Sequence, residues 1–178
     1  MSISSAVPGK ALIVPGRSLV LLIGPSGSGK STFAREHFSP LQIIESDHCR
    51  ALVCDDETDQ SSTRAAFDLV HFLADKRLEF GKLTVVDATN VEVKARSGLL
   101  ALARDYNFTP VAIVFDVGKE VALRQNSQRR DRQVSTSVIH RQYQDMQSSR
   151  KSLSREGFSR VYVMKSPEEA AAATVVFD

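Results

Sequence analysis

The sequence predicts an α/β fold of three layers, in which a mainly parallel central sheet lies between helices on both faces. Short apolar runs alternate with segments whose apolar residues recur at helical spacing, and this alternation is typical of parallel crossovers. The runs "VLLIG", "LTVVDA" and "PVAIVFD" are almost continuously apolar, which indicates strands buried on both sides. We predict strands at 18–24, 42–45, 83–87, 109–115 and 160–165, and helices at 30–38, 63–80, 92–106, 119–128 and 138–153.

The length of 178 residues, without repeats or low-complexity tracts, predicts a single domain. Residues 12–14 are expected to add a short edge strand to the sheet. Residues 1–11 are therefore expected to form a flexible lead-in, and residues 12–178 the domain. Gly81 and Gly157 each follow a predicted helix and mark its end.

Composition predicts a cytoplasmic protein without a membrane partner. The longest apolar run falls far short of the roughly 20 residues of a membrane span, and the first residues lack the apolar core of a secretory signal. Cys49 and Cys54 are too few for a disulfide framework, so reduced thiols are expected.

Charge is distributed unevenly along the chain. Residues 124–160 contain nine basic and three acidic side chains, a net +6 that leaves −4 for the rest of a chain whose total is +2. This asymmetry indicates a polyanionic partner on one face, although a charged run more often forms a solvated helix.

The first predicted strand runs directly into "GPSGSGKST", which matches the phosphate-binding motif G-x-x-x-x-G-K-[ST]. Its glycines allow backbone N–H groups to approach phosphates, and the following helix directs its positive end toward them. Lys30 is expected to reach the β- and γ-phosphates of ATP, and the Ser31 hydroxyl to ligate Mg²⁺. The motif predicts a P-loop NTPase fold with nucleotide-binding residues Gly24, Ser26, Gly27, Ser28, Gly29, Lys30, Ser31 and Thr32.

The stretch "IIESDHCR" is expected at the carboxyl end of the second strand, beside the P-loop. Asp47 and Arg50 are three residues apart, so they share one face of a short helix if Ser46 caps it. Asp47 would accept the proton of an acceptor hydroxyl, and Arg50 would bind a neighbouring phosphate. The alternative is an ordinary helix cap with a surface ion pair.

Two neighbours of this pair suggest other chemistry. Adjacent side chains project in different directions, which argues against a metal site at His48 and Cys49. Cys49 is expected to be a small packed side chain, because phosphoryl transfer already has its nucleophile in the acceptor. His48 receives no role.

Asp87 ends the third strand in "VVDATN", near the same crevice. It is expected to contact the substrate side by orienting Arg50, or to act on the Mg²⁺ shell through water. A capped turn between strand and helix explains the same residue equally well.

With these pieces assembled, the chain resembles the 5′-OH polynucleotide kinase module of bacterial polynucleotide kinase-phosphatase. The resembling stretches are "LVLLIGPSGSGKSTFA", "SDHCRALVCDDETDQ", "GKLTVVDATNV", "DRQV" and "REGF..VYV..SPEE". The resemblance implies ATP or another NTP as donor, Mg²⁺ or Mn²⁺ as cofactor, and the 5′-OH end of RNA or DNA as acceptor. It also implies that Asp47 is the general base and that Arg50 contacts substrate phosphate.

The family carries spaced arginines on a helical lid, in a pattern like R-N-x-x-R-x-x-R. By that resemblance the lid comprises about residues 119–155, and Arg129 and Arg132 bind the nucleotide, with Arg129 also acting in catalysis. Gln125 stands where the first arginine would fall, and Arg124 lies one residue earlier.

Full-length members also contain metallophosphatase and ligase domains, whose signatures G-D-x-H-G and G-N-H-E are absent here. The chain is therefore expected to be an excised domain or a stand-alone kinase, with nucleic acid as partner and homodimer formation open. Two alternatives remain: a small-molecule kinase of the gluconate or shikimate type, and a nucleotide-binding regulatory module without catalysis.

Overall fold

The computed structural model describes residues 9–129 and 133–178 of the protein. Strands and helices alternate along most of this length, because apolar runs and helically spaced segments alternate in the sequence. The strands are β1 (Ala11–Val14), β2 (Ser18–Ile23), β3 (Ile43–Glu45), β4 (Thr84–Asp87), β5 (Thr109–Phe115), β6 (Arg160–Met164) and β7 (Thr174–Phe177). The helices are α1 (Lys30–His37), α2 (Ser46–Cys54), α3 (Thr63–Glu79), α4 (Val93–Asp105), α5 (Lys119–Ser127), α6 (Thr136–Ser149) and α7 (Pro167–Ala172).

Five of these strands form a central parallel sheet in the order β3-β4-β2-β5-β6. All of their carboxyl ends therefore lie at one edge, where α/β sheets bind ligands. The register places Asp87 at the end of β4 between Leu22 of β2 and Glu45 of β3. The predicted α/β class with a mainly parallel sheet is confirmed.

Two hydrophobic clusters cover the two faces of the sheet, because successive strand residues point to opposite sides. Leu21 of β2 packs with residues of α3 and α4, including Val70 and Leu99. Its neighbour Leu22 belongs to the other cluster, with Phe33 of α1. Helices thus lie on both faces, as predicted.

The structure corrects the expected edge strand. β1 does not extend the central sheet; it pairs in parallel with β7 as a separate two-stranded sheet. Neither β7 nor α7 was predicted, because elements of four and six residues are too short to show a period. The cap of α7 is readable locally, since the Ser166 side chain accepts a hydrogen bond from the Glu169 N–H.

Two helix boundaries also differ from expectation. Ser46 is the first residue of α2 rather than its cap, because Glu45 stays extended and β3 runs into the helix without a turn. The predicted long helix at 138–153 is α6 followed by a 3₁₀ segment, Arg150–Arg155. α5, α6 and this segment occupy the region predicted as a lid.

Candidate active site

The P-loop between β2 and α1 has a backbone that only glycine adopts easily. Gly27 and Gly29 have φ values of 80° and 92°, in the left-handed region. A Cβ on Gly27 would lie 2.3 Å from the carbonyl oxygen of Ala122, and one on Gly24 would lie 2.8 Å from Oγ of Ser28. Gly27 is therefore required by both close packing and dihedral angle, Gly24 by close packing alone and Gly29 by its dihedral angle alone.

Two hydrogen bonds fix the loop to the segment after β4. The Gly24 N–H donates to the carbonyl oxygen of Thr89 at 2.9 Å, and Asn90 Nδ2 donates to that of Leu22 at 2.9 Å. The loop that follows Asp87 is thereby held against the end of β2. Asn90 has a positive φ of 47°, a conformation that asparagine tolerates.

Lys30 lies at the start of α1 and is largely buried. Its Nζ donates to the carbonyl oxygen of Pro25 at 2.8 Å and to Oγ of Ser28 at 3.4 Å. The ammonium group is thus folded back over the P-loop, where a bound triphosphate would lie.

Asp87 contacts the P-loop rather than Arg50. The Ser31 side chain and Lys30 both lie close enough to stabilise its negative charge. Burial nonetheless raises the pKa of the Asp87 carboxyl, against these two effects. Of the two roles expected for Asp87, this geometry supports the one near Mg²⁺.

Ser31 and Asp87 suit a magnesium ion. Both offer hard oxygen donors, and Mg²⁺ in phosphate-transfer sites binds through one or two protein groups together with substrate phosphates. Their interaction shows that the two side chains lie close together at the start of α1. Within residues 9–129 and 133–178, no three His, Cys, Asp or Glu side chains form a metal-binding group.

Asp47 and Arg50 form an ion pair on α2. Arg50 Nη1 donates to Asp47 Oδ1 at 2.8 Å and to the carbonyl oxygen of Glu57 at 3.1 Å. The Arg50 side chain is 5% exposed, whereas that of Asp47 is 38% exposed. The pair is therefore not a surface ion pair: a buried guanidinium presents a carboxylate toward solvent.

The neighbours of this pair take separate positions. Cys49 is buried and packs in the core, as predicted, and burial raises the pKa of its thiol, with Glu45 adding to the effect. His48 is exposed. Reactive side chains that are adjacent in sequence are thus divided between core, cleft and surface.

A cleft of about 820 Å³ brings the two ends of the site together. Its walls come from the P-loop, α2, α3, the start of α4 and α6. The predicted site residues that line it are Ser26, Gly27, Gly29, Lys30, Ser31, Asp47, Arg50, Asp87 and Arg129.

Other predicted residues lie elsewhere. Gly24 and Ser28 pack against each other within the P-loop and do not line the cleft, and Thr32 is exposed on α1. Arg124, one residue before the position of the missing lid arginine, is exposed on α5 and interacts electrostatically with Glu168; unlike Arg129, it does not line the cleft. Arg132 lies outside the described residues.

Three functional candidates were missed by sequence reasoning. Gln142 of α6 accepts a hydrogen bond from the Ser26 N–H at 2.8 Å, which joins the lid region to the P-loop. Arg96 of α4 donates to the carbonyl oxygen of Asn90 at 2.7 Å and supports the loop after β4. Phe67 of α3 lines the cleft. Nothing in the local sequence marks any of them: Gln142 contacts a residue 116 positions away, and Arg96 also pairs with Glu156, 60 positions away.

The fold and the phosphate-binding loop together define a P-loop kinase-like, nucleotide-binding domain. A family model described as an AAA domain matches residues 19–153, and the chain belongs to that family. No helix in the described ranges is long and apolar enough to cross a membrane.

Solved structures with the same fold include several kinases. A chain of the Pnkp1/Rnl/Hen1 RNA repair complex is 18% identical, with a TM-score of 0.65, over 86% of this chain and 49% of that one. A gluconokinase from Sinorhizobium meliloti 1021 is 15% identical, with a TM-score of 0.56, over 89% and 92%. Kti12 of Chaetomium thermophilum, solved with ADP-AlF3, is 16% identical, with a TM-score of 0.64, over 86% and 92%. This chain thus spans about half the length of the repair-complex protein, and the predicted resemblance is confirmed as a likeness of fold.

Proposed function

We propose that this chain is a cytoplasmic, ATP-dependent polynucleotide 5′-hydroxyl kinase that acts in nucleic-acid end repair. The observation that carries the proposal is the Asp47–Arg50 pair, which lines the same cleft as Lys30 and Ser31 of the P-loop. A carboxylate and a guanidinium beside a triphosphate site are the groups needed to phosphorylate a hydroxyl that neighbours a phosphate. Residues 12–178 would form one kinase domain with a lid at about 119–155.

In the reaction, Asp47 accepts the proton of the 5′-hydroxyl. The 5′-oxygen forms a bond to the γ-phosphorus while the bond from that phosphorus to the β,γ-bridging oxygen breaks, which leaves ADP. The transition state for such transfer is loose, so Asp47 contributes more by orienting the hydroxyl than by its basicity. Arg50 would bind the next phosphate of the strand.

On the donor side, the P-loop N–H groups and Lys30 would bind the β- and γ-phosphates of ATP or another NTP. Ser31 and Asp87 would hold Mg²⁺ or Mn²⁺, which when bound neutralises charge on the β- and γ-oxygens. Arg129 lines the cleft from the lid side, and its guanidinium would stabilise the transferring phosphoryl group. We assign Arg132 the same task by resemblance alone.

A small-molecule kinase is the second candidate, because the likeness to the gluconokinase extends over 92% of that chain. The two candidates differ in what the acceptor wall must bind: a nucleic-acid strand or a compact polyol or acid. The likeness to a chain of an RNA repair complex supports the first candidate, a function in nucleic-acid repair.

The first test is transfer from labelled ATP, with Mg²⁺, to matched 5′-OH oligonucleotides of DNA and RNA. We expect labelling of at least one, and binding that weakens with salt with a log–log slope of roughly 0.7 per phosphate contact on a single strand. Labelling of gluconate or shikimate with no labelling of either oligonucleotide would overturn the proposal in favour of the second candidate.

The Asp47→Asn variant tests the mechanism. We expect ATP binding to be retained and phosphoryl transfer to fall by about 10²-fold or more, because the amide neither orients the hydroxyl as a carboxylate does nor accepts its proton. His48→Asn is the matched control, since His48 is the exposed next residue of the same helix. Equal transfer by Asp47→Asn and the wild type would remove Asp47 from the mechanism, and a nucleotide-binding module without catalysis would show no transfer in either protein.

A further inference from the structure

One wall of the cleft has no part in the chemistry proposed above. Arg64, Phe67 and His71 of α3 all line the cleft. Their spacing of three and four residues places them on one face of the helix. The cleft therefore has a wall made of two aromatic rings, with an arginine at its outer end.

Both rings are held in place by the fold. Phe67 is partly buried and packs against the core. His71 packs against α4, where a Cβ on Gly98 would lie only 2.7 Å from its Cε1. Burial lowers the pKa of His71, with Asp68 opposing the effect, so the ring is held mainly in its neutral form.

The surroundings of the rings are apolar on the inner side and charged at the rim. Three apolar residues that follow β4 also line the cleft: Ala88, Val91 and Ala95. Glu92 and Lys94 lie beside them at the start of α4.

We propose that the α3 wall, defined by Phe67 and His71, binds the 5′-terminal nucleobase of the acceptor strand by stacking. The inference rests on the proposed kinase function and names the part of the substrate that this wall recognises. The occupant follows from continuity with the site, because the wall shares one cleft with Asp47 and Arg50, which would hold the hydroxyl and the phosphate of the same nucleotide. Arg64 and Lys94 supply positive charge for the strand beyond it.

Stacking of this kind accepts any base, because every base presents a flat π-face. The wall would therefore favour a base over no base at the 5′ end without strong preference among bases. It would also exclude water from the acceptor hydroxyl, since Phe67 and the terminal base would close one side of the cleft.

The test compares two 5′-OH oligonucleotides that are identical except that the terminal nucleotide carries a base or is abasic. For the wild type we expect kcat/KM to be about 10-fold or more lower on the abasic strand, as for loss of one base–aromatic stack. In Phe67→Leu, which keeps apolar packing but removes the aromatic ring, we expect the two strands to be phosphorylated at nearly equal rates. Phe67→Trp should keep the preference for the base.

Phe72→Ala is the matched control, since Phe72 lies on the same helix, is 58% exposed and is not part of the cleft wall. It should discriminate as the wild type does. Equal rates on the two strands by the wild type, or full discrimination by Phe67→Leu, would overturn this inference while leaving the kinase proposal intact. Failure of the wild type to label either strand would overturn the proposed function itself.

Discussion

Two buried arginines, Arg50 on α2 and Arg96 on α4, differ in how many of their nitrogens have hydrogen-bond partners. Arg96 is fully buried, and its Nε and Nη2 donate to the two carboxylate oxygens of Glu156 at 2.7 and 2.6 Å. Its Nη1 donates to the carbonyl oxygen of Asn90 and to Oγ of Ser149. All three of its nitrogens thus have protein partners.

Arg50 is almost as buried, but its partners are fewer. Only its Nη1 is bonded in the contacts described above, to Asp47 and to the backbone of Glu57. Its Nε finds no hydrogen-bond partner among the described residues. A guanidinium has five N–H donors, and a buried donor without a partner is costly. Arg50 is therefore able to bind a further anion, whereas the donors of Arg96 are already paired.

The difference in pairing separates two kinds of buried arginine, one structural and one functional, that look alike in sequence. A fully paired arginine joins elements: Arg96 connects α4 to the loop after β4, the end of α6 and the residue after the 3₁₀ segment. An arginine that lines a cleft and whose donors are incompletely paired is able to bind a ligand there. The first kind predicts a loss of stability on mutation, and the second a loss of activity.

The largest expected effect is on stability, in Arg96→Met. The variant leaves the Glu156 carboxylate, 8% exposed, without its counter-charge, and we expect the free energy of unfolding to fall by about 3–5 kcal/mol in urea titrations. The double variant Arg96→Met/Glu156→Leu should recover much of this loss, because the unpaired charge is gone. A loss of less than about 1 kcal/mol in the single variant would contradict the structural role.

The next effect is on activity, in Arg50→Lys. Lysine keeps the charge but loses the planar fork of donors, so kcat/KM for a 5′-OH oligonucleotide should fall by about 10- to 100-fold. The free energy of unfolding should change by only about 1 kcal/mol. Arg104→Lys serves as control, since Arg104 is 77% exposed and pairs with Asp105 at the surface. If Arg50→Lys lost stability as Arg96→Met does and kept its activity, the distinction between the two arginines would be wrong.

The smallest effect is a pH dependence at the Arg96 site. Burial alone would raise the pKa of Glu156, but hydrogen bonds from Arg96 and Ser152 lower it below its ordinary value of 4.5. A lowered folded-state pKa means that the stabilisation is fully present above pH 4.5 and is lost as the pH falls through the folded-state value. Thermal unfolding from pH 7 to pH 3 should therefore show a flatter acid limb in Glu156→Gln than in the wild type. Parallel acid limbs would show that Glu156 is not linked to folding.

Local physics explains what could be predicted from the sequence. Alternating apolar runs and helical spacing predicted the central strands and most of the helices, since these periods follow from the geometry of each element. The P-loop could be predicted because its residues are consecutive and its backbone conformation depends on its own glycines. The spacing of Asp47 and Arg50 likewise placed them on one helical face, as found.

Only the tertiary structure decided which distant groups meet. The Ser26 N–H and Gln142 are 116 residues apart, and Arg96 and Glu156 are 60 apart, so no local pattern relates them. The same holds for the β1–β7 pair, whose strands lie at the two ends of the described chain, and for the position of Arg124 beside Glu168. Asp87 shows the limit most clearly: its sequence allowed contact with either Arg50 or the P-loop, and the register of β4 beside β2 brought it to Ser31. The local sequence determines the geometry of each helix and strand, but packing between these elements determines which side chains become partners.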